Sequence, residues 1–159
     1  MTDRVLVDKS ALAQRNHHPG AAATLLELAE VGNLATSHLV ALEVLYSARN
    51  VADYKALDAV LRSQPWLGLT PEVGDRALEV QGVLARRGQH RLSIPDLLIA
   101  ATAEVHGATV LHHDRDFDRI GAVTGQPMRW IVAPLLPHVK TSGRASSLPH
   151  LKPPDAGSW

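Results

Sequence analysis

Residues 92–120 read LSIPDLLIAATAEVHGATVLHHDRDFDRI. Ser93-Ile94-Pro95-Asp96 has the makings of a helix start: a hydroxyl able to cap, a proline in the first turn, and an acid near the positive end of the helix dipole. The helix predicted from it runs to about His106 and stops at Gly107. Thr109-Val110-Leu111 then reads as a short strand, with Asp114, Asp116 and Asp118 in a polar turn behind it. This stretch lacks the two-residue alternation of a sheet with one wet face. A helix feeding such a strand argues for a parallel sheet covered on both sides.

The same alternation extends in both directions. Val5-Leu6-Val7 is a strand ending at Asp8, Ser10 to Arg15 a brief helix, and Asn16 to Gly20 (NHHPG) a turn. Ala21 to Val31 is rich in helix formers. Leu34-Ala35-Thr36 is a second strand, after which Thr36 or Ser37 caps a helix to about Asn50; another helix covers about Ala52 to Arg62. Trp66 to Leu69 reads as a third strand. Thr70-Pro71-Glu72 opens a helix whose Val73, Ala77, Val80 and Leu84 form one apolar face, ended by Gly88. Met128 to Val132 supplies a fifth strand. The expected fold is α/β, a three-layer α/β/α sandwich with a short, mainly parallel central sheet. The domain is expected over residues 1–139. From about Lys140 the chain runs KTSGRASSLPHLKPPDAGSW, without periodicity, so 140–159 reads as a flexible Pro/Ser/Gly-rich tail.

A length of 159 residues suits one ordinary domain. Lys+Arg and Asp+Glu each total 16, which excludes nucleic-acid binding through bulk positive charge while leaving local patches open. The absence of cysteine excludes disulfides, thiolate metal sites and a cysteine nucleophile. Trp66, Trp130, Trp159, Tyr46, Tyr54 and Phe117 are the only aromatic residues, too few for an extended base-stacking platform. The charged N-terminus is no secretory signal, and no stretch approaches the roughly 18–20 apolar residues of a membrane span. The chain therefore reads as soluble and cytoplasmic.

The informative acids lie where charge is costly. Asp8 follows the first strand directly. Glu43 is the only formal charge from His38 to Ala48, and Asp96 the only one from Leu92 to Ala103, with histidine neutral. Asp114 follows the fourth strand, with Asp116 close behind. Each has a plain structural use: Asp8 as a helix cap, Asp96 in a capping box with Ser93, Glu43 on a wet helix face. Their joint placement points further, because strand carboxyl ends and helix starts of a parallel sheet share one crevice. Carboxylates gathered there without a cation would repel one another, and an all-oxygen set suits Mg²⁺ or Mn²⁺.

VLVDKSAL at 5–12, ATSHLVALEVLYSAR at 35–49, the 92–120 segment and QPMRWIV at 126–132 resemble, in order and spacing, a PIN-domain ribonuclease. More narrowly, they resemble the VapC-type toxin of a type II (VapBC) toxin–antitoxin pair. The resemblance covers about residues 3–133. It implies that Asp8, Glu43, Asp96 and Asp114 form the acidic quartet that holds the metal, with Asp116 the adjacent acid; either of the last two can take the fourth place. Ser10 matches a small hydroxyl residue after the first acid, and Lys9 stands where Thr or Ser is common. The implied activity is Mg²⁺- or Mn²⁺-dependent endoribonucleolytic hydrolysis leaving a 5′-phosphate. The implied partners are RNA, a cognate VapB-like antitoxin and a second copy of the chain, with toxin–antitoxin hetero-oligomers and no membrane. The alternative is a non-catalytic PIN-like module that binds RNA or protein; a degenerate copy of that kind should lack one of the acids. A flap-cutting DNA nuclease is disfavoured by the small size and the lack of an inserted clamp-like segment.

Three further groups complete the expectations. His112 and His113 alternate along a strand and so point to opposite faces, which argues against a chelating pair. Arg86, Arg87, His90, Arg91 and Arg115 either form solvated helix ends or guide phosphate, and Arg115 can instead neutralise Asp114 and Asp116. Leu25, Leu26, Leu28, Leu57, Val60 and Leu61 supply more apolar surface than one sheet face covers, which suits an amphipathic partner helix.

Overall fold

The computed structural model describes residues 3–135. The tail expected at 140–159, and the domain's end at 139, lie outside the described residues. Five strands, β1 (Val5–Val7), β2 (Leu34–Ser37), β3 (Trp66–Leu67), β4 (Thr109–His112) and β5 (Met128–Trp130), form one sheet in the order β3-β2-β1-β4-β5. All four pairings are parallel. The helices are α1 (Lys9–Ala13), α2 (Pro19–Glu30), α3 (His38–Tyr46), α4 (Val51–Arg62), α5 (Pro71–Arg86), α6 (Ile94–Val105) and α7 (Arg115–Thr124), with a 3₁₀ turn at Gln14–Asn16.

β1 is central and buried at every residue. Its alternate side chains feed two cores, as a sheet covered on both faces requires. Leu6 joins Leu67, Leu84, Ile99, Val110, Phe117 and Ile120 on one side. Val5 and Val7 join Ala11, Leu25, Leu34 and Leu111 on the other. The predicted starts hold: Ser37, Thr70 and Ser93 hydroxyls accept from Val40, Val73 and Asp96 N–H, each at 3.4 Å.

Several boundaries differ from expectation, among them the fifth strand, which keeps Met128–Trp130 of the expected Met128 to Val132. α2 begins at Pro19 rather than Ala21, since proline is well placed in a first turn. α3 stops at Tyr46 rather than about Asn50, because Asn50 is extended and its side chain caps α4, accepting from Asp53 N–H at 2.9 Å. The third strand keeps only Trp66 and Leu67. The larger correction concerns Asp114, Asp116 and Asp118. They do not form a turn: Asp114 caps α7, and the other two lie in its first turn. Phe117 and Ile120, fully buried, are the face that holds this helix down.

α5 is tied to α6 by Arg76, whose guanidinium donates to both Glu104 carboxylate oxygens, at 2.8 and 2.9 Å. Such a two-point pair on partly exposed side chains contributes on the order of 1 kcal/mol. Arg76→Ala is therefore expected to lower the melting temperature by about 2–4 °C, as thermal denaturation would show. Among the described residues, no helix is long and apolar enough to cross a membrane.

Candidate functional site

In the order β3-β2-β1-β4-β5, the chain leaves β1 toward one edge and later returns to its other side as β4. The crevice of such a sheet opens at this reversal, beyond the strand carboxyl ends. Asp8 lies there, 4% exposed. Its backbone N–H donates to Leu111 O at 2.9 Å, joining the ends of β1 and β4. Its side chain caps α1, accepting from Ser10 N–H at 2.8 Å. The Ser10 hydroxyl accepts in turn from His113 N–H at 2.9 Å. The capping role weighed for Asp8 is therefore real, and it fixes the carboxylate beside the crevice.

The other acids arrive by the same logic. Helices running back along a parallel sheet present their N-termini to the strand carboxyl edge. Asp96 is in the first turn of α6, with its N–H held by Ser93. Asp114 caps α7, accepting from Asp116 N–H at 2.9 Å. Glu43 lies farther along α3 and is half-buried. These N-termini favour negative charge and partly offset the cost of gathering acids.

Electrostatics shows which acids share a neighbourhood. Asp96 is pushed up to about 7, first by burial and then by the negative charges of Asp8, Asp114, Glu43 and Asp116. The Glu43 carboxyl is also raised, by burial and then by Asp8, while the Lys9 ammonium acts in the opposite direction. Lys9 thus supplies positive charge to the rim of the acid group. Asp116 is paired with Arg119 at 3.2 Å, a neutralising partner not foreseen from sequence. Arg115 makes no ion pair among the described residues.

The donor set fits a hard divalent cation. Every candidate ligand is a carboxylate oxygen, and Asp96 has its charge suppressed by burial and then by four like-charged neighbours, whose repulsion a cation would offset. Among the described residues, no three histidine or carboxylate side chains are clasped into a ready cage as they stand.

His112 plays no part in this set. Its ring is fully buried, 5.1 Å from Phe117 and 4.9 Å from Trp130 between centroids. Its Nδ1 accepts from Asp114 N–H at 3.3 Å, and burial lowers its pKa. A neutral ring supporting the Asp114 backbone follows. Arg86, Arg87, His90 and Arg91 are all exposed. Of the apolar side chains considered as a partner surface, Leu25 and Leu61 belong to the interior, Leu28 and Leu57 are half-buried, and Leu26 and Val60 remain exposed.

The PIN domain family matches residues 5–123. Ribonuclease VapC21 of Mycobacterium tuberculosis is 46% identical over 136 residues, covering 84% of this chain and 98% of that protein. Ribonuclease VapC51 of the same organism is 44% identical over 132 residues, covering 83% of this chain and 96% of that one. Among solved structures, VapBC2 from Rickettsia felis, bound to a DNA fragment from their promoter, contains a chain of the same fold. It has a TM-score of 0.66 and 20% identity, and the match covers 79% of this chain and 97% of that one.

Proposed function

The chain belongs to the PIN domain family and, within it, to the VapC ribonucleases, and from that premise we propose that its carboxylate crevice is the active site of a divalent-metal-dependent endoribonuclease acting as the toxin of a toxin–antitoxin pair. The observation that carries the reading is the placement of buried Asp8 at the joined ends of β1 and β4, with Asp96 in the first turn of α6 and Asp114 at the cap of α7; the rise of Asp96 to about 7, by burial and then by Asp8, Asp114, Glu43 and Asp116, agrees with it.

Asp8, Glu43, Asp96 and Asp114 hold the cation, Mg²⁺ or Mn²⁺. Asp114 takes the fourth place rather than Asp116, whose carboxylate is engaged by Arg119 at 3.2 Å. When bound, the cation would supply Lewis acidity toward a phosphate oxygen and make a hydrolytic water easier to ionise. The protein fixes the ligands. Ser10 anchors Asp8 to the β4 end, and the His112 ring holds the Asp114 backbone. No side chain is required as a covalent nucleophile. The direct test is cleavage of RNA by the purified chain with and without Mg²⁺ or Mn²⁺, for wild type and Asp96→Asn.

The residues beyond 139 take no part in this chemistry. A chain ending at Val139 is expected to cleave RNA at the wild-type rate; a folded but inactive truncation, judged by circular dichroism, would contradict this.

The toxin role adds a VapB-like antitoxin and assembly with a second copy of the chain. Leu26 and Val60, exposed at 60% and 59%, offer apolar anchors to an amphipathic helix. A basic side chain of the partner, best an arginine, pairs with the crevice carboxylates. Inhibition is thus by occupation of the site. Copurification with the product of the adjacent reading frame, followed by the cleavage assay, is expected to give a bound and inactive complex.

A further inference from the structure

Adjoining the acid group, and sharing Asp114 with it, lies an open cavity of about 640 Å³. Trp130, His113 and Arg115 line it together with Asp114, the turn residue His18 and apolar Pro134. The Trp130 and His113 rings meet edge to face with centroids 5.3 Å apart. Trp130 is held from behind, its Nε1–H donating to Asp118 Oδ1 at 2.9 Å and its ring packing against His112. Arg115 is exposed and makes no ion pair among the described residues, while Asp116 pairs with Arg119. His113 Nδ1 is buried and has no hydrogen-bond partner among the described residues.

A fixed indole, a second ring at its edge, a free guanidinium and an apolar wall are the complement of one nucleotide: a flat base, a polar sugar and an anionic phosphate. The volume falls in the range of small-ligand sites. One stacking position needs one indole, so the scarcity of aromatic residues that excludes an extended platform does not exclude it.

We propose that this cavity seats one unpaired nucleotide of the RNA next to the scissile phosphate, its base against Trp130 and His113 and its phosphate at Arg115. The inference rests on the nuclease reading for the identity of the ligand. Because a base must be out of a duplex to stack on a protein ring, the seat selects single-stranded RNA. Trp130, His113 and Arg115 are binding residues for the substrate, with no part in bond cleavage.

The test is equilibrium binding in EDTA, where binding is read without catalysis. The probe is a fluorescein-labelled single-stranded RNA of about 12 nucleotides, alone and annealed to its complement, followed by anisotropy. Arg115→Gln and Trp130→Leu are each expected to weaken single-strand binding about tenfold, with the duplex little affected. Trp130→Phe, which keeps a ring, is expected to stay within about twofold of wild type. Should Trp130→Leu fail to fold, the exposed Arg115 still decides the matter. Unchanged single-strand affinity in folded Arg115→Gln, or equal losses for single strand and duplex, would overturn the proposal. The nuclease reading fails separately, by absence of cleavage when Mg²⁺ or Mn²⁺ is supplied to the wild type, whatever the binding shows.

Discussion

Asp96→Asn is expected to lower the rate of RNA cleavage by on the order of 10³-fold, the scale for removing one well-placed charge-stabilising group from an active site. Glu43→Gln, Asp8→Asn and Asp114→Asn should have effects of the same order. The choice of amide matters. Asp8 and Asp114 cap α1 and α7, and asparagine caps a helix about as well as aspartate. The amides therefore keep the helix starts while removing the negative charge. Single-turnover cleavage, with circular dichroism to establish the fold, separates the two roles. Asp116→Asn is expected to cost far less, because Asp116 is already engaged with Arg119. Full activity in folded Asp96→Asn would sink the assignment of the acid group.

The same substitution should make the ion-free protein more stable. Asp96 is raised to about 7 in the folded chain, against about 3.9 when unfolded. The folded state thus holds the proton more tightly, and stability contributed by the protonated carboxyl is lost as pH rises between those values. Below about pH 4 the group is neutral in both states and carries no penalty. Above about pH 7 it is charged in both and the penalty is complete. Roughly 3 pH units would correspond to about 4 kcal/mol. The lost dipole interaction of a first-turn acid and the solvent left around a half-buried group reduce this to about 2 kcal/mol. At pH 8 in EDTA, Asp96→Asn should melt about 4–8 °C above wild type, with the gap closing as pH falls toward 4. Saturating Mn²⁺ should reverse the order, since only the wild type binds the ion well and is stabilised by it. Equal melting temperatures in EDTA at pH 8 would contradict the electrostatic account.

The sequence carries these features unequally. α6 and β4 are legible because Ser93, Pro95 and Asp96 are local signals, as are Gly107 and the apolar strand. The ends of α3 and the existence of α7 are harder. No glycine or proline stops α3, and the competition of Asn50 for the next cap becomes visible only in three dimensions. In Asp114–Asp118, the density of acids suggests a turn, whereas the burial of Phe117 and Ile120, three residues apart, is what sets the helix. The acids of the crevice stand out in sequence because each is a lone charge in an apolar stretch or follows a strand. Their partners do not. Ser10 reaches the His113 backbone across 103 positions, and Trp130 meets His113 only because β5 pairs with β4. Contacts of this kind depend on strand order, which local patterns leave open.

The most direct measurement is cleavage mapping of total RNA by the purified wild-type chain, first in EDTA and then with Mg²⁺ or Mn²⁺ restored. The account predicts intact RNA in EDTA and discrete cuts in single-stranded regions once the ion is returned, with the Asp96→Asn protein silent in both. Cutting that persists in EDTA, or intact RNA despite ion binding shown by a thermal shift, would contradict it.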